Sequence, residues 1–375
     1  MMIRTFHPVG QGAFYSEEHS DGINIVYDCG SNAPTRSRSV VDSSFRGKDI
    51  YILFISHFDT DHISTIPTLL KSVKSIKFVV IPLMDNEQIN LLINIYYYLP
   101  DDLKKLITNP REFFGSNTKV IRVKPAGSNK ESYEDPIIIE DIPRRFSSET
   151  GYTEIDSGIP LTIGKLNKES WMWAFIPYNY ESEKRKDELV ELLVDNGFDI
   201  SRMKSDPAYV LTDAVTKDKG EKIRDIYKQL SGNINQNSLL VYSGPLKLKE
   251  ESKCICNLLR WLSPCDDLAA YTCRLKSGCI YTGDSDFNQI VLKDVYPKHL
   301  RYVGIVQIPH HGASSNFNIK SLEGCENVIC PVSHGFHRKY KHPHDSVIKE
   351  LVINGFKPVS VNSDLNSKFE QIIPY

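Results

Sequence analysis

The sequence predicts a layered α/β protein, a four-layer αββα sandwich, and two observations lead there. Apolar runs of strand length recur at both ends of the chain. Helix-patterned segments alternate with them, as in "IYILF", "ISTIPTLLKSVKS" and "IKFVVIPL". Two β-rich halves with helices outside them then make a sandwich of two sheets with helical outer layers.

The elements follow in order. "MIRTFHPV" reads as a strand, Gly10 and Gly12 punctuate a turn, and "INIVYDCGS" places Asp28 at the end of an apolar strand. "IYILFISHFDTDH" is a buried strand running into a polar loop, followed by a helix and the strand "IKFVVIPL". From residue 86 the pattern changes: "NEQINLLINIYYYLPDDLKKLI" and "EKRKDELVELLVDNGF" look helical, while "KPAGSNKESYEDP" and "IPRRFSSETGYTEIDSGIP" look like loops. Strand patterns return with "NSLLVYSG", "LAAYTCRL", "CIYTGDSD", "VGIVQIPHHG", "VICPVSHG" and "KPVSVNS". The amphipathic helix "HDSVIKELVINGF" has Asp345 near its start and Gly355 near its end. The expected organisation is one domain over 1–375, with a core of 1–85 and 235–375 and a large, mainly helical or irregular insertion at 86–234.

Composition narrows the class. A chain of 375 residues with 41% hydrophobic and 25% charged residues is globular, not disordered or collagen-like. A net charge of −2 gives no global field for a polyanion, so nucleic acid would have to meet a local basic patch. No apolar stretch reaches the length of a membrane helix and the first residues do not read as a secretory leader, so a cytoplasmic protein away from the membrane is expected. The eight cysteines lack C-x-x-C spacing and read as buried small hydrophobes, although five fall between 254 and 279.

The chemistry is concentrated at strand ends. His57, Asp59, Asp61 and His62 crowd into "HFDTDH", and in an extended backbone 57, 59 and 61 share one face. Such ionisable groups repel and desolvate one another unless a cation holds them. Asp284 in "YTGDSD" ends another apolar run after a glycine, a good place for a carboxylate that bridges metal ions. "VQIPHHGASS" brings His310 and His311 to the end of a third; neighbouring side chains diverge, so one of the two is expected to bind metal.

"HFDTDH" resembles the H-x-H-x-D-H motif of the metallo-β-lactamase fold, with Asp59 where the second histidine usually stands. "VGQGAFY", "YDCG", "NSLLVYSG", "CIYTGDSD", "IPHHGASS" and "RKYKHPHDSVIKEL" occur in the same order as similar motifs in the hydrolase domain of the competence-type DNA-uptake proteins, the ComEC family, and their soluble relatives. The resemblance covers roughly 1–85 and 235–375. It implies that His57 and Asp59 bind one metal ion and Asp61 and His62 the other. Asp284 would bridge, His310 would complete the second site with His311 as the alternative, and Asp28 would support the site from its strand end. Asp61 would also orient the attacking water. The chain departs from the wider fold in having no histidine between 63 and 283, which leaves the first site poor in nitrogen ligands. Carboxylate in place of imidazole favours harder ions, so two divalent ions are expected: manganese or zinc, with magnesium as a further option.

The stretch "SHGFHRKYKHPH" suits a phosphate-contacting loop, in which Arg338, Lys341 and His344 would bind substrate and His342 would protonate the leaving oxygen. Ser314, beside "HHG", would bind substrate or cap the next helix, and His311, if not a ligand, would bind substrate. Tyr96, Tyr97 and Tyr98 read as helix core or as a base-stacking platform. The leading expectation is a metal-dependent phosphodiesterase, most concretely a nuclease acting on nucleic acid. The alternatives are hydrolysis of a non-phosphate ester, lactone or amide, and a weakened member that works as a subunit of a larger complex. The 86–234 stretch is the expected surface for a protein partner.

Overall fold

The computed structural model describes residues 1–127, 135–145, 152–166, 171–181, 183–212, 222–223, 225–226, 237–248, 255–256, 276–335 and 341–374. The strand expected at "LAAYTCRL" lies outside them, as do Arg338, Cys254, Cys265 and Cys273.

Two mixed sheets carry the chain. The first runs β12 (Ile255–Cys256), β17 (Phe369–Ile373), β1 (Met2–Phe6), β2 (Phe14–His19), β3 (Asn24–Cys29), β4 (Asp49–Phe54), β5 (Ser75–Pro82), β6 (Lys119–Val123) and β8 (Thr153–Ile155). It is antiparallel from β12 to β3 and parallel from β3 to β8. The second runs β16 (Lys357–Val361), β15 (Ile329–Ser333), β14 (Val303–Val306), β13 (Gly278–Tyr281), β11 (Asn237–Leu248), β10 (Trp171–Glu181), β9 (Leu161–Thr162) and β7 (Ile137–Ile138). Its β13 to β16 strands are parallel.

The layers can be read from where alternate side chains go. Ile52 and Phe54 of β4 enter a central core with Tyr27, Phe175, Leu239 and Tyr281, which joins the two sheets. Leu53 and Ile55 point the other way, into a second core with Val41 of helix α1 (Pro34–Phe45). The short helix α2 (Thr60–Ile63) adds Ile63 to that core, α3 (Ile66–Ser72) adds Leu69, and α4 (Asn86–Ile95) adds Leu91 and Leu92. A third core lies on the far face of the second sheet, where Ile280, Val306 and Val332 meet Val347 and Leu351 of the helix Asp345–Ile353. Three cores separate four layers, the αββα sandwich the sequence predicts.

The stretch 86–234 supplies helices and also β6 to β10. Its β10 pairs with β11 from Trp171 opposite Leu248 to Glu181 opposite Asn237, with a bulge at Met172/Trp173. Among the described residues no helix is long and apolar enough to cross a membrane. Cys29, Cys279, Cys325 and Cys330 are free and buried.

Candidate metal centre

The parallel strands converge on one end of the sandwich, where loops leaving their carboxyl ends bring the polar residues together, as is usual for ligand sites on parallel sheets. Asp28 is the penultimate residue of β3, and Ser56 and His57 follow β4. Asp59 precedes α2, which carries Asp61 and His62. Asp284 follows β13, His310 and His311 follow β14, and Ser333 ends β15.

Glycines set how closely these segments approach. A Cβ on Gly30 would fall 2.4 Å from the His62 carbonyl carbon and 2.5 Å from Asp61 O, and one on Gly12 would fall 2.8 Å from Asp61 O. The amide of Ala13 donates to Asp61 O at 3.0 Å, so the "VGQGA" turn and "CGS" together cradle the Asp61–His62 peptide. Backbone strain marks both sides of the site: Asp28 has φ 53°, and His310 and His311 have φ 49° and 55°.

Each inward-facing histidine is fixed from behind. His62 Nδ1 lies 2.8 Å from Asp28 Oδ2 and donates to it, which turns Nε2 toward Asp284. The Ser56 hydroxyl donates to Asp28 Oδ2 at 2.6 Å and therefore accepts from His57 Nδ1 at 2.8 Å. His311 Nδ1 donates to Ser333 O at 2.8 Å and its Nε2 lies 3.0 Å from Asp61 Oδ2. All three rings thus turn Nε2 toward carboxylates. His57 Nε2 stands 3.6 Å from Asp59 Oδ2 and 3.8 Å from Asp284 Oδ2.

A ring nitrogen facing a carboxylate is held by positive charge between them, a proton or a metal ion. His62 Nε2 is 3.2 Å from Asp284 Oδ1 and His310 Nδ1 is 3.2 Å from Asp284 Oδ2, yet neither ring nitrogen has hydrogen-bond geometry. Among the described residues two groups have the spacing to hold a cation: His57, His62 and Asp284, all buried, and Asp61, His62 and His311, of which only Asp61 is partly exposed. The nitrogen and oxygen donors fit a borderline or hard divalent ion.

The electrostatics agree with that demand. Burial opposes charge throughout, but His62 and His310 outweigh it and hold Asp284 well below the usual carboxylate range. Against the same burial, Asp284 and Asp28 hold His62 well above its ordinary value, and Asp61 and Asp284 raise His311. Burial lifts Asp59. Its Oδ1 accepts a hydrogen bond from the Tyr96 hydroxyl.

The C-terminal loop forms the rim. His342, joined to Pro343 by a cis peptide bond, places its ring 6.2 Å from that of His310 and 6.5 Å from that of His311. Burial, with His311 and His310 adding to it, pushes His342 down to about 3. His344 Nδ1 accepts from the Ser314 amide at 3.0 Å and lies 2.8 Å from its Oγ, which locks the "HPH" segment onto the "HHGASS" turn. Lys341 is exposed in the same loop. The structure thus gathers Asp28, His57, Asp59, Asp61, His62, Asp284, His310 and His311 at one point, with Ser314, His342 and His344 beside them. Ser56, the Ser333 carbonyl and the hydroxyl of Tyr96 are additions that sequence reasoning did not assign to the site.

Two face-to-face sheets, helices outside them and a His/Asp cluster at the strand ends make this a four-layer αββα sandwich with a candidate metal centre. No family model matches the chain, and no curated protein matches it. Among solved structures it is similar to YhfI, a metallo-β-lactamase fold protein from Bacillus subtilis, at 11% identity over 99% of this chain and 100% of that one, with a TM-score of 0.37. It is also similar to a long form RNase Z from yeast, at 8% identity and a TM-score of 0.34, over 82% of this chain and 32% of the yeast protein. The chain therefore spans about a third of that protein's length.

Proposed function

We propose that the chain is a metal-dependent hydrolase that uses two divalent ions to cleave phosphodiesters, with nucleic acid as the substrate class. The observation that carries this reading is the pair of His/Asp groups meeting at His62, each with a ring nitrogen fixed from behind. A neutral imidazole nitrogen binds one ion, so His62 belongs to one group only. His57, Asp59 and Asp284 would hold the first ion, and Asp61, His62 and His311 the second, with Asp284 reaching both. Manganese, zinc and magnesium all suit this donor set. Bound there, the ions would lower the pKa of a water and clamp the oxygens of an in-line displacement.

The chain's own groups have distinct tasks in this reading. Asp28 and Ser56 hold the histidines in one tautomer. Asp61, 14% exposed and 3.0 Å from His311, would orient the attacking water. His310 leans on Asp284 and, with His342, walls the side from which the "HPH" loop meets substrate. His342 is neutral near pH 7, and an arriving phosphoryl anion would raise its proton affinity beside the leaving oxygen. Lys341 adds positive charge at the rim. The order of the sequence motifs supports the competence-type likeness, and with it nucleic acid. Free buried cysteines fit a reducing, cytoplasmic compartment. The 86–234 stretch is the proposed partner surface.

The test is hydrolysis by chelator-stripped protein resupplied with manganese, magnesium or zinc. The substrates are single-stranded DNA, duplex DNA, RNA, a chromogenic phosphodiester and a lactone. Metal-dependent cutting of a phosphodiester that disappears in Asp61→Ala/His62→Ala supports the reading. Cleavage of the lactone alone overturns the substrate class.

A further inference from the structure

The helical layer built from the 86–234 stretch reaches the metal centre through Tyr96. Tyr96 follows the last residue of α4, is 1% exposed, and donates its hydroxyl to Asp59 Oδ1. That leaves Asp59 Oδ2 as the oxygen facing His57 Nε2, at 3.6 Å. An aspartate with one oxygen held by a phenol and the other turned toward a ligating imidazole is set to bind a metal ion through a single oxygen.

The position of Tyr96 is itself fixed. Two residues earlier, buried Asn94 donates to Met203 O at 3.0 Å and to Asp206 O at 2.7 Å, and its Oδ1 accepts from the Val210 amide at 2.9 Å. Asn90, one turn back, donates to Lys204 O at 2.8 Å. These bonds tie α4 to the helices Ile200–Ser205 and Tyr209–Thr212. The chain has no histidine in this region to complete the first ion's ligand set. It has instead a tyrosine that orients the aspartate standing in the usual histidine position.

We propose that Tyr96 is a positioning residue for the metal centre, holding Asp59 as a one-oxygen ligand, and that the α4 layer thereby completes the first metal site. The inference rests on the two-ion reading above. Outer partners of metal ligands are worth about 10- to 100-fold in metal affinity. A packing role alone would survive replacement by phenylalanine, which keeps the ring and removes only the hydroxyl.

The experiment is calorimetric titration of chelator-stripped protein with Mn2+, for the wild type, Tyr96→Phe, Asp59→Asn and the double variant, with thermal melts of each stripped protein. Wild type is expected to take up two ions. Tyr96→Phe weakens one of the two steps about tenfold or more and leaves the other. In the Asp59→Asn background the same change is expected to have no further effect on binding, because the inference routes the hydroxyl's effect on the metal through that carboxylate. Wild-type affinity in Tyr96→Phe, or an equal loss in both backgrounds, overturns the inference and leaves the two-ion centre standing. A wild type that binds no Mn2+ overturns both.

Discussion

Asp28 and His62 form a carboxylate–imidazole pair at 2.8 Å, both fully buried, and the far nitrogen of that ring is the point where the two cation-binding groups overlap. The same Asp28 oxygen also receives the Ser56 hydroxyl that steadies His57. One carboxylate outside both groups therefore orients two of the candidate ligands. Asp28→Asn keeps the shape but offers a weaker acceptor, and metal affinity should fall about 10- to 100-fold. Equilibrium dialysis against Mn2+ or Zn2+ would read the loss directly.

Gly30 has no room for a side chain. A methyl there meets the Asp61 and His62 backbone at 2.4–2.5 Å, and backbone atoms cannot swing aside as a side-chain tip can. Gly30→Ala should cost on the order of 1–3 kcal/mol through overpacking and should displace the Asp61–His62 peptide. Denaturant unfolding of stripped protein measures the first effect, and metal titration of the folded variant the second. Loss of metal binding should exceed what the stability change explains.

Asn94→Ala removes three of the bonds that join α4 to the neighbouring helices and leaves the Val210 amide and the Met203 carbonyl without that partner, while Asp206 O keeps the Tyr209 amide. Buried polar groups stripped of partners make this a destabilisation of about 2–4 kcal/mol. Urea unfolding compares it with Asn90→Ala, which removes a single bond to Lys204 O and should cost less.

His7 supplies a pH dependence away from the metal centre. Burial, with Lys368 and Lys48 adding to it, pushes the ring from 6.5 down to about 3. Between those values the unfolded chain holds a proton that the folded chain does not. The stabilising contribution is complete above about 6.5 and declines as pH falls toward about 3, by at most about 1.4 kcal/mol per pH unit. His7→Gln cannot titrate, so urea unfolding of stripped protein across this range should show a shallower acid slope than wild type.

The ends of the chain were legible because apolar strands make their polar termini conspicuous. "VYDCG", "HFDTDH", "TGD" and "HHG" each interrupt a buried run, and the fold carries all four to one end of the sandwich. Ser56 was not legible, since a serine before a histidine has no pattern of its own; its role comes from Asp28 lying across the strand pair. Tyr96 read as helix core or a stacking ring, and it is buried as core residues are, but its hydroxyl meets Asp59 from another layer. The neighbouring histidines differ for a backbone reason. Positive φ at both His310 and His311 sends the first toward Asp284 and the second toward Asp61, and sequence spacing cannot show that. β10 escaped notice because "WMWAFIPYNYE" is apolar and aromatic on both faces, with Trp173 and Phe175 in the central core and Ala174 and Ile176 in the outer one.

The central claim is a two-ion centre that needs His62. The direct measurement is Mn2+ stoichiometry on chelator-stripped protein, read together with the electron paramagnetic resonance spectrum, for wild type and His62→Ala. Two ions per wild-type chain with a spin-coupled spectrum, and no coupled pair in His62→Ala, is the predicted result, since ions sharing Asp284 would stand about 3.5–4 Å apart. A single uncoupled ion in the wild type, or a coupled pair that persists without His62, would contradict it.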